Sequence, residues 1–311
     1  MTGDVGRAEE ILRAAAGGRV RSRFPLASLT TFRIGGPAAL YLEAESDADL
    51  VAAGQASATT GLPVLVLGKG SNVLIADAGF AGIVLRLGKP FRWAAREGHE
   101  LVAGGAMPLP ALSGVALLHR LAGLEFGVAI PATLGGAVRM NAGAHDRSVS
   151  NVLTAIEVFA LPEGVRRWVP SQEARFAYRT SELGDETVVI GARVSLSPGE
   201  PEAIRALMDE AREWRRRTQP LAQPNCGSVF KNPPGDHAAR LVEAVGAKGM
   251  RVGGVEVSTK HANFIVADRG ARAEDVANLV HQLQTRVAEE FGVALETEVR
   301  FVGEFQDATT G

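Results

Sequence analysis

Cysteine is nearly absent from the sequence, since Cys226 is the only one among 311 residues. A single cysteine excludes an internal disulfide and a zinc site made of four cysteines. The six histidines occur in neither H-x-x-x-H nor H-E-x-x-H spacing, the patterns that place two ligands on one helix face. We therefore expect no bound metal.

Long apolar runs and an excess of one charge are also absent. No apolar stretch approaches the roughly 18 residues that span a bilayer. Residues 1–18 contain acidic side chains and no signal-peptide core. The formal net charge of -2 is not the basic excess typical of nucleic-acid binders. We expect a cytoplasmic protein that has no membrane or nucleic-acid partner.

Glycine is abundant, with 36 residues, and many of them cluster in three loops of the first half. The loops are TTFRIGGPA (residues 30–38), GKGSN (68–72) and IPATLGGAVRMNAGA (130–144). Each loop alone is most simply a tight turn. Successive backbone N–H groups in such loops also bind anions such as a pyrophosphate. Three loops together predict a large phosphate-bearing cofactor.

The middle loop has β-strand patterns on both sides, within LPVLVLGKGSNVLIAD (62–77). Dinucleotide fingerprints and P-loops run instead from strand to loop to helix, because the helix N-terminus holds the phosphate. GKGSN also lacks the glycine spacing of both motifs. A Rossmann or P-loop protein is therefore disfavoured.

The remaining patterns predict an α+β fold. Short β-runs occupy residues 80–197, and helical apolar spacing covers 108–122, 201–217 and 273–292. Residues 293–303 alternate apolar and polar side chains, as in a half-buried strand. The apolar face of the helix at 201–217, which we expect in the core, consists of Ile204, Leu207, Met208, Ala211 and Trp214.

Two charged side chains outside the glycine loops are candidates for chemistry. Arg179, in FAYRTSEL (176–183), either clamps a carboxylate or phosphate or forms a surface ion pair with Glu182 or Asp185. Glu298 lies on the polar face of the alternating segment, where a glutamate is either functional or simply solvated.

The segment NCGSVFKNP (225–233) holds two possible nucleophiles. Ser228 lacks the G-x-S-x-G elbow of serine hydrolases. Nothing near Cys226 in the sequence would lower the pKa of its thiol. Nucleophilic catalysis is therefore disfavoured for both residues.

These motifs, in this order, resemble the UDP-N-acetylenolpyruvoylglucosamine reductase (MurB) family. The similarity spans residues 27–303 and rests on TTFRIGG, GKGSNVLIAD, IPATLGGAVRMNAGA, FAYRTSEL, QPNCGSVFKNP, STKHANFIV and LETEVRFVG. The first three motifs belong to a wider flavin-binding superfamily, and the last four together are specific to the reductases. The resemblance implies an α+β fold with a two-part FAD-binding region of the PCMH/vanillyl-alcohol-oxidase type. A C-terminal α/β substrate domain would follow it.

The domain boundaries that we infer from the resemblance fall near residues 86 and 217. Residues 1–86 would form the first part of the FAD-binding region, with the tail 300–311 returning to it. Residues 87–217 would form its second part, and residues 218–299 the substrate-binding domain.

The resemblance implies a monomeric, cytoplasmic enzyme of peptidoglycan precursor synthesis. NADPH would reduce non-covalently bound FAD, and a hydride would then pass to C3 of UDP-N-acetylglucosamine enolpyruvate. Protonation at C2 would give UDP-N-acetylmuramate. In such an enzyme the flavin carries the redox chemistry, and the protein supplies position, charge and a proton.

Two alternatives stay open. A flavin-linked oxidase of the same superfamily would act on an alcohol or lactone, and would usually tether its flavin through a histidine or cysteine, which GKGSN lacks. A flavin- or nucleotide-binding regulatory protein without catalysis would be expected to lack Ser228 or Glu298, and both are present.

The resemblance also implies roles for individual residues. Ser228 matches the family's proton donor to C2, and Arg179 and Glu298 match the residues that stabilise the enol-like intermediate. The implied FAD-binding residues are Arg33, Gly68, Gly70, Ser71, Asn72, Ile130, Pro131, Thr133, Gly136, Asn141 and Gly143. The implied substrate-binding residues are Tyr178, Arg217, Gln219, Lys231, Asn232 and His261.

The chain departs from the family pattern in two places. His145 and Asp146 replace a Tyr-Gly pair after NAGA, beside the implied flavin contacts, and Ala267 replaces an asparagine after FIV. Arg179 and Ser228 are only 49 positions apart. That interval is similar to a shorter subclass without a substrate-covering loop, so no tyrosine is assigned to the diphosphate.

Overall fold

The computed structural model describes residues 4–305, which form two compact units. The first unit comprises residues 4–23, 39–69 and 81–215, and the second comprises residues 24–38, 70–80 and 216–305. Two segments of the first third of the chain therefore belong with its last third. Residues 306–311 of the expected returning tail lie outside the described residues.

The described residues contain seven α-helices and eighteen strands. The helices are α1 (Val5–Ala16), α2 (Asp47–Thr60), α3 (Leu109–Leu118), α4 (Leu134–Arg139), α5 (Pro201–Thr218), α6 (Ala238–Ala244) and α7 (Ala273–Phe291). The strands are β1 (Val20–Pro25), β2 (Pro37–Ala44), β3 (Val64–Val66), β4 (Val73–Ile75), β5 (Phe80–Leu87), β6 (Ala94–Glu97), β7 (Glu100–Gly104), β8 (Leu121–Ala122), β9 (Gly143–Ala144), β10 (Arg147–Ser148), β11 (Leu153–Ala160), β12 (Val165–Pro170), β13 (Thr187–Ser195), β14 (Ser197–Pro198), β15 (Arg251–Val252), β16 (Val255–Val257), β17 (Ile265–Ala267) and β18 (Arg300–Val302).

Capping residues explain where the helices begin and end. At the start of α2, the hydroxyl of Ser46 accepts from the N–H of Asp49 at 3.3 Å, and the Asp49 carboxylate accepts from the N–H of Ser46 at 3.0 Å. This reciprocal pair is a capping box. Gly292 ends α7 in the left-handed conformation, with φ 65°, as its position after the apolar repeat predicts.

The first unit is built around a five-stranded antiparallel sheet of order β12–β11–β13–β7–β6. Helices α3 and α4 contribute Leu112 and Leu134 to the buried cluster that contains Ile156 of this sheet. A further sheet, of order β1–β2–β5–β3, shares a second cluster with α1 and α2. Leu12 and Leu50 are the largest of the fully buried side chains that these two helices supply.

The second unit has one core that draws on three separate stretches of sequence. Phe32 and Leu74 are buried there together with Phe230, Val276 and Leu283. Around this core lie α6, α7, the antiparallel sheet β15–β16–β17 and the parallel pair β18–β4. The segments 24–38 and 70–80 are thus held by apolar packing beside the residues of the C-terminal third.

The predicted α+β class is confirmed. Strands β3 and β4 flank residues 68–72 with no helix between them, as the pattern predicts.

Helix α5 covers the predicted 201–217 segment, but Leu207 and Trp214 are exposed, so the prediction that they are core residues is wrong. The apolar stripe of α5 is wider than the surface against which the helix packs.

The predicted strand at 293–303 is also only partly correct. Regular pairing is confined to Arg300–Val302, because the residues before it form an isolated bridge with the segment around Phe230. The alternation in burial nevertheless holds, with Leu295 and Val299 buried and Glu296 exposed. Among the described residues, no helix combines the length and apolar character needed to cross a bilayer.

Candidate active site

Two of the predicted cofactor loops meet inside the first unit. Gly68 faces Thr133 so closely that a Cβ added at Gly68 would lie 2.6 Å from the threonine Oγ1. Thr133 is itself the N-cap of α4, since its hydroxyl accepts from the N–H of Gly136 at 3.3 Å. Gly68 therefore has a packing reason to be glycine, and it brings the backbone of its loop against the IPATLGG loop.

The IPATLGG loop is anchored to the segment that leads from the end of β7 into α3. The N–H of Leu109 donates to the carbonyl of Ala132 at 2.9 Å, just after the predicted flavin contacts Ile130 and Pro131. The N–H of Gly135 donates to the carbonyl of Gly105 at 2.9 Å. These hydrogen bonds fix the turn that leads into α4.

The third predicted loop lies in the second unit, against the end of GKGSN. Gly70 has φ 65°, and a Cβ at this position would overlap the backbone carbonyl of Leu29. The N–H of Thr31 donates to the carbonyl of Gly70 at 3.0 Å. Arg33 is exposed at φ 58°, and its N–H donates to the hydroxyl of Thr30 at 3.1 Å.

Thr31 also joins this loop to the segment that carries Ser228. Its hydroxyl donates to the carbonyl of Asn225 at 2.7 Å. Asn72 forms a second link, because its side-chain Nδ2 donates to the backbone carbonyl of Glu298 at 3.0 Å. The N–H of Arg300 donates in turn to the carbonyl of Asn72 at 3.1 Å.

Ser228 and Glu298 lie on neighbouring segments of the second unit. Phe230 and Thr297 form an antiparallel bridge. The N–H of Glu298 donates to the carbonyl of Val229 at 2.7 Å, and the N–H of Lys231 donates to the carbonyl of Glu296 at 2.9 Å. This short ladder places Glu298 opposite Val229, the residue next to Ser228. Both Ser228 and Glu298 are half-buried.

Cys226 is a buried, neutral thiol beside this ladder. Burial, with a smaller contribution from the negative charge of Glu298, raises the pKa of Cys226 to about 12. A thiol with this pKa holds almost no thiolate at neutral pH, and the thiolate is the nucleophile. The structure therefore gives Cys226 a packing role in the core of the second unit.

Arg179 lies in the first unit, at the tip of a tight turn. The N–H of Ala177 donates to the carbonyl of Thr180 at 3.1 Å, and the reverse bond measures 3.3 Å. Arg179 occupies this turn at φ 58°, a conformation that costs energy in a non-glycine residue and is often kept at functional sites. Its Nη1 donates to the carbonyl of Gly143 at 2.8 Å, and its guanidinium lies 5.4 Å from the ring centroid of Tyr178.

The carboxylates expected as surface partners of Arg179 have other contacts. Glu182 pairs with Arg175 at 3.2 Å, and Asp185 lies 3.9 Å from Arg139. Tyr178 is exposed beside Arg179.

Asn141 and Gly143, both predicted as flavin contacts, hold the turn of Arg179. Asn141 is buried, its Nδ2 donates to the carbonyl of Ala177 at 3.0 Å, and its Oδ1 accepts from the N–H of Ser150 at 3.1 Å. Gly143 supplies the carbonyl that Arg179 contacts. Both the nitrogen and the oxygen of the Asn141 amide thus make hydrogen bonds within the protein, and the nitrogen holds the turn of Arg179.

The His145–Asp146 pair, which replaces the expected Tyr-Gly, forms the two-residue turn between β9 and β10. Their φ values are 53° and 58°, which matches the type I′ turn preferred in such hairpins. The His145 ring packs edge-on against Trp214, with the ring centroids 5.0 Å apart. His145 and Asp146 thus form the hairpin turn without a glycine.

Of the predicted substrate residues in the C-terminal third, Lys231 and Asn232 lie at or beside the same ladder. Lys231 pairs with Glu296 at 3.0 Å, and Asn232 Oδ1 accepts from the N–H of Ala238 at the start of α6, at 3.1 Å. Arg217, in the last turn of α5, is exposed, and Gln219, just beyond it, is half-buried.

His261 is half-buried, and its Nδ1 accepts from the N–H of Asn263 at 3.2 Å. Burial, with the nearby charge of Lys248, lowers the pKa of His261 below the usual imidazole value. The imidazole is therefore neutral at physiological pH, as an accepting Nδ1 requires.

Sequence reasoning assigned no role to Thr31 or Asn263. Both lie in motifs that carry the family resemblance, TTFRIGG and STKHANFIV. Their hydrogen bonds reach partners far along the chain, and no local pattern reports such contacts.

Comparison with known proteins points to the same family as the sequence motifs, along nearly the whole chain. Residues 38–169 match the FAD binding domain model, and residues 219–302 match the model of the UDP-N-acetylenolpyruvoylglucosamine reductase C-terminal domain. The UDP-N-acetylenolpyruvoylglucosamine reductase of Anaeromyxobacter dehalogenans is 46% identical over 297 residues, which cover 96% of this chain and 89% of that protein. The reductase of Halalkalibacterium halodurans is 39% identical over 296 residues, which cover 95% of this chain and 98% of that protein.

A solved structure shows the same relationship in three dimensions. The MurB of Thermus caldophilus superposes with a TM-score of 0.80 at 37% identity, covering 92% of this chain and 99% of its own. The resemblance carried by the sequence motifs is therefore confirmed. The chain belongs to the UDP-N-acetylenolpyruvoylglucosamine reductase family.

Proposed function

We propose that this protein reduces UDP-N-acetylglucosamine enolpyruvate to UDP-N-acetylmuramate, with FAD bound non-covalently and NADPH as the electron donor. The observation that carries the proposal is the ladder in which the N–H of Glu298 donates to the carbonyl of Val229. It brings the proposed acid segment and the proposed glutamate together although they are distant in sequence. Family membership supplies the substrate class.

The glycine loops fit a flavin nucleotide. A Cβ at Gly70 would overlap the backbone of Leu29, and one at Gly68 would crowd the Thr133 hydroxyl, so backbone lines these loops, as suits a pyrophosphate. When bound, FAD supplies the hydride that adds to C3 of the enolpyruvyl group. We assign its binding to the residues inferred from the family motifs: Arg33, Gly68, Gly70, Ser71, Asn72, Ile130, Pro131, Thr133, Gly136, Asn141 and Gly143.

We assign the proton that reaches C2 to the hydroxyl of Ser228. A serine hydroxyl is a weak acid, so it has to be oriented firmly and resupplied with a proton by its neighbours. Both backbone groups of Val229 are engaged, since its N–H donates to the carbonyl of Asn263 and its carbonyl accepts from Glu298. This supports a fixed position for the preceding residue, with Glu298 orienting or polarising the proton relay.

We assign Arg179 to the charge that develops on the substrate. Addition of a hydride to C3 leaves electron density delocalised into the substrate carboxylate, and a fixed guanidinium stabilises that charge. The hydrogen bond to Gly143 and the tight turn both restrict the Arg179 side chain before any substrate arrives. Preorganisation of this kind avoids a reorganisation cost during the reaction.

The sugar nucleotide would contact Tyr178, Arg217, Gln219, Lys231, Asn232 and His261. We propose that NADP+ leaves before this substrate binds. A monomeric state and a cytoplasmic location stay predictions.

The test separates the two half-reactions of the Ser228→Ala variant under anaerobic conditions. Reduction of the flavin by NADPH should proceed at the wild-type rate, because no proton is delivered to the substrate in that step. Re-oxidation by the enolpyruvyl sugar nucleotide should slow by about 10²-fold or more. Ser197→Ala is the matched control, since Ser197 is exposed on β14. Equal slowing of both half-reactions, or no slowing of either, would contradict the acid role.

A further inference from the structure

Asn263 makes an unusual pair of side-chain contacts in the second unit. It is only 4% exposed. Its Oδ1 accepts from the backbone N–H of Phe230 at 2.9 Å, and its Nδ2 donates to the backbone carbonyl of Phe230 at 2.8 Å. One side chain thus satisfies both backbone groups of a single residue.

The backbone of Asn263 extends this contact. Its carbonyl accepts from the N–H of Val229 at 2.9 Å, and its own N–H donates to His261 Nδ1 at 3.2 Å. Glu298 binds the other side of the same segment through the carbonyl of Val229. The two residues that follow Ser228 are therefore held from two sides, by a strand-like segment on one and by Asn263 on the other.

The surroundings of Asn263 are apolar. Val229, Phe230, Ala262 and Ile265 all belong to the buried cluster of the second unit. If packing were the only requirement, an apolar side chain of similar size would serve here without the cost of burying an amide. An amide that pairs with the N–H and the carbonyl of Phe230 instead fixes the two peptide groups on either side of that residue, because a carboxamide is planar and carries a donor and an acceptor on one edge.

We infer that Asn263 is a positioning residue for Ser228, and this inference rests on the proposed function. By fixing Phe230 and Val229, it sets the direction in which the hydroxyl of the preceding serine points. Both halves of the amide are needed for this role. A carboxylate at this position would keep the acceptor for the N–H of Phe230 but would face the carbonyl of Phe230 with an oxygen instead of a donor.

The Asn263→Asp variant makes use of this asymmetry. When the carboxyl group is ionised, it repels the Phe230 carbonyl and tilts the segment. When it is protonated, its hydroxyl can donate to that carbonyl again, and burial raises the pKa of such a carboxyl group toward neutrality. The ionisable side chains on these segments are Lys260, His261, Lys231, Glu296 and Glu298, and the charges of Lys248 and Glu243 act on His261. All of them are common to the wild-type protein and the variant, so they cause no difference between the two pH profiles.

The experiment measures both anaerobic half-reactions across a range of pH. In Asn263→Asp, flavin reduction by NADPH should stay at the wild-type rate, whereas re-oxidation by the enolpyruvyl sugar nucleotide should be about tenfold slower or more at alkaline pH. The deficit should shrink as the pH falls. Asn278→Asp places the same charge on an exposed residue of α7 and should follow the wild-type profile.

Hydrogen exchange of the Phe230 amide gives a readout that needs no substrate. Protection should be lost in Asn263→Ala, which removes the acceptor, and retained in Asn263→Asp, which keeps it. A wild-type pH profile in Asn263→Asp would overturn the inference, as would equal, pH-independent slowing of both half-reactions. If the wild-type flavin is not re-oxidised by the substrate at all, the proposed function fails, and the catalytic role of Asn263 fails with it. The exchange result still shows whether Asn263 holds the segment.

Discussion

Asn72 and Glu298, 226 positions apart in the chain, are joined by a hydrogen bond of 3.0 Å from the Asn72 side chain to the Glu298 backbone carbonyl. A residue of the proposed flavin loop therefore holds the proposed catalytic glutamate in place. Thr31 makes the corresponding link to Asn225, three residues before Ser228. Residues 30–38 and 70–72, two of the stretches proposed for the cofactor, thus share one set of hydrogen bonds within the second unit with the segments proposed for proton delivery.

Removing the hydroxyl of Thr31 should loosen the Ser228 segment. Thr31→Val keeps the shape of the side chain but leaves the Asn225 carbonyl without its 2.7 Å donor. We expect the free energy of unfolding, measured with urea, to fall by about 1 kcal/mol. Thr31→Ser keeps the hydroxyl and should lose less than Thr31→Val. Equal stabilities of the valine and serine variants would show that the hydroxyl contributes nothing.

A side chain at Gly68 should weaken flavin binding. The added Cβ of Gly68→Ala would meet Thr133 Oγ1 at 2.6 Å, so the threonine side chain that caps α4, or one of the two loops that meet here, has to shift. We expect the dissociation constant for FAD to rise by about tenfold or more. Titration of the apoprotein measures it. Gly114→Ala, in α3 with open space around the new Cβ, is the control. Unchanged affinity in Gly68→Ala would argue against these loops as the flavin site.

Cys226 should be inert toward thiol reagents in the folded protein. Its pKa of about 12, caused mainly by burial, leaves a thiolate fraction at pH ~8 that is about 10³-fold smaller than that of an unperturbed thiol. Alkylation by iodoacetamide, followed by mass spectrometry, should be slower than in the urea-unfolded chain by about that factor or more. Equal rates in the two states would contradict the buried, neutral thiol.

His261 should make stability depend on pH in the mildly acidic range. Because burial lowers its pKa in the folded state, the neutral ring stabilises the fold at pH values above its ordinary pKa of ~6.5. That contribution is lost as the pH falls through the folded-state pKa. The wild type should therefore lose its advantage in free energy of unfolding over His261→Phe as the pH falls from about 7 to about 5.

The exposed His281 of α7 provides the control for this pH dependence. His281→Gln should track the wild type throughout the same range. A constant difference between the wild type and His261→Phe at all pH values would rule out the proposed role of His261 protonation.

Features that a local sequence pattern encodes could be predicted from the sequence. Gly292 follows an apolar repeat, so the end of α7 was predictable. β-patterns on both sides of residues 68–72 likewise predicted a loop with no helix. Leu207 and Trp214 were misplaced because helical spacing predicts a face but not how much of it another surface covers.

The parts of the site that escaped prediction depend on contacts between distant segments. Asn263 pairs with Phe230 across 33 positions, and Asn72 reaches Glu298 across 226. A buried asparagine and an exposed one look alike in a single sequence. The family motifs identified Ser228, Arg179 and Glu298 as candidates, but only the fold shows what holds their segments.

The central claim is tested most directly by one anaerobic flavin cycle in the wild-type protein. Purified protein should release FAD on denaturation, NADPH should bleach the flavin absorbance, and UDP-N-acetylglucosamine enolpyruvate should restore it with formation of one UDP-N-acetylmuramate per flavin. A protein that releases no flavin, or a reduced flavin that oxygen re-oxidises but the enolpyruvyl sugar nucleotide does not, would contradict the account.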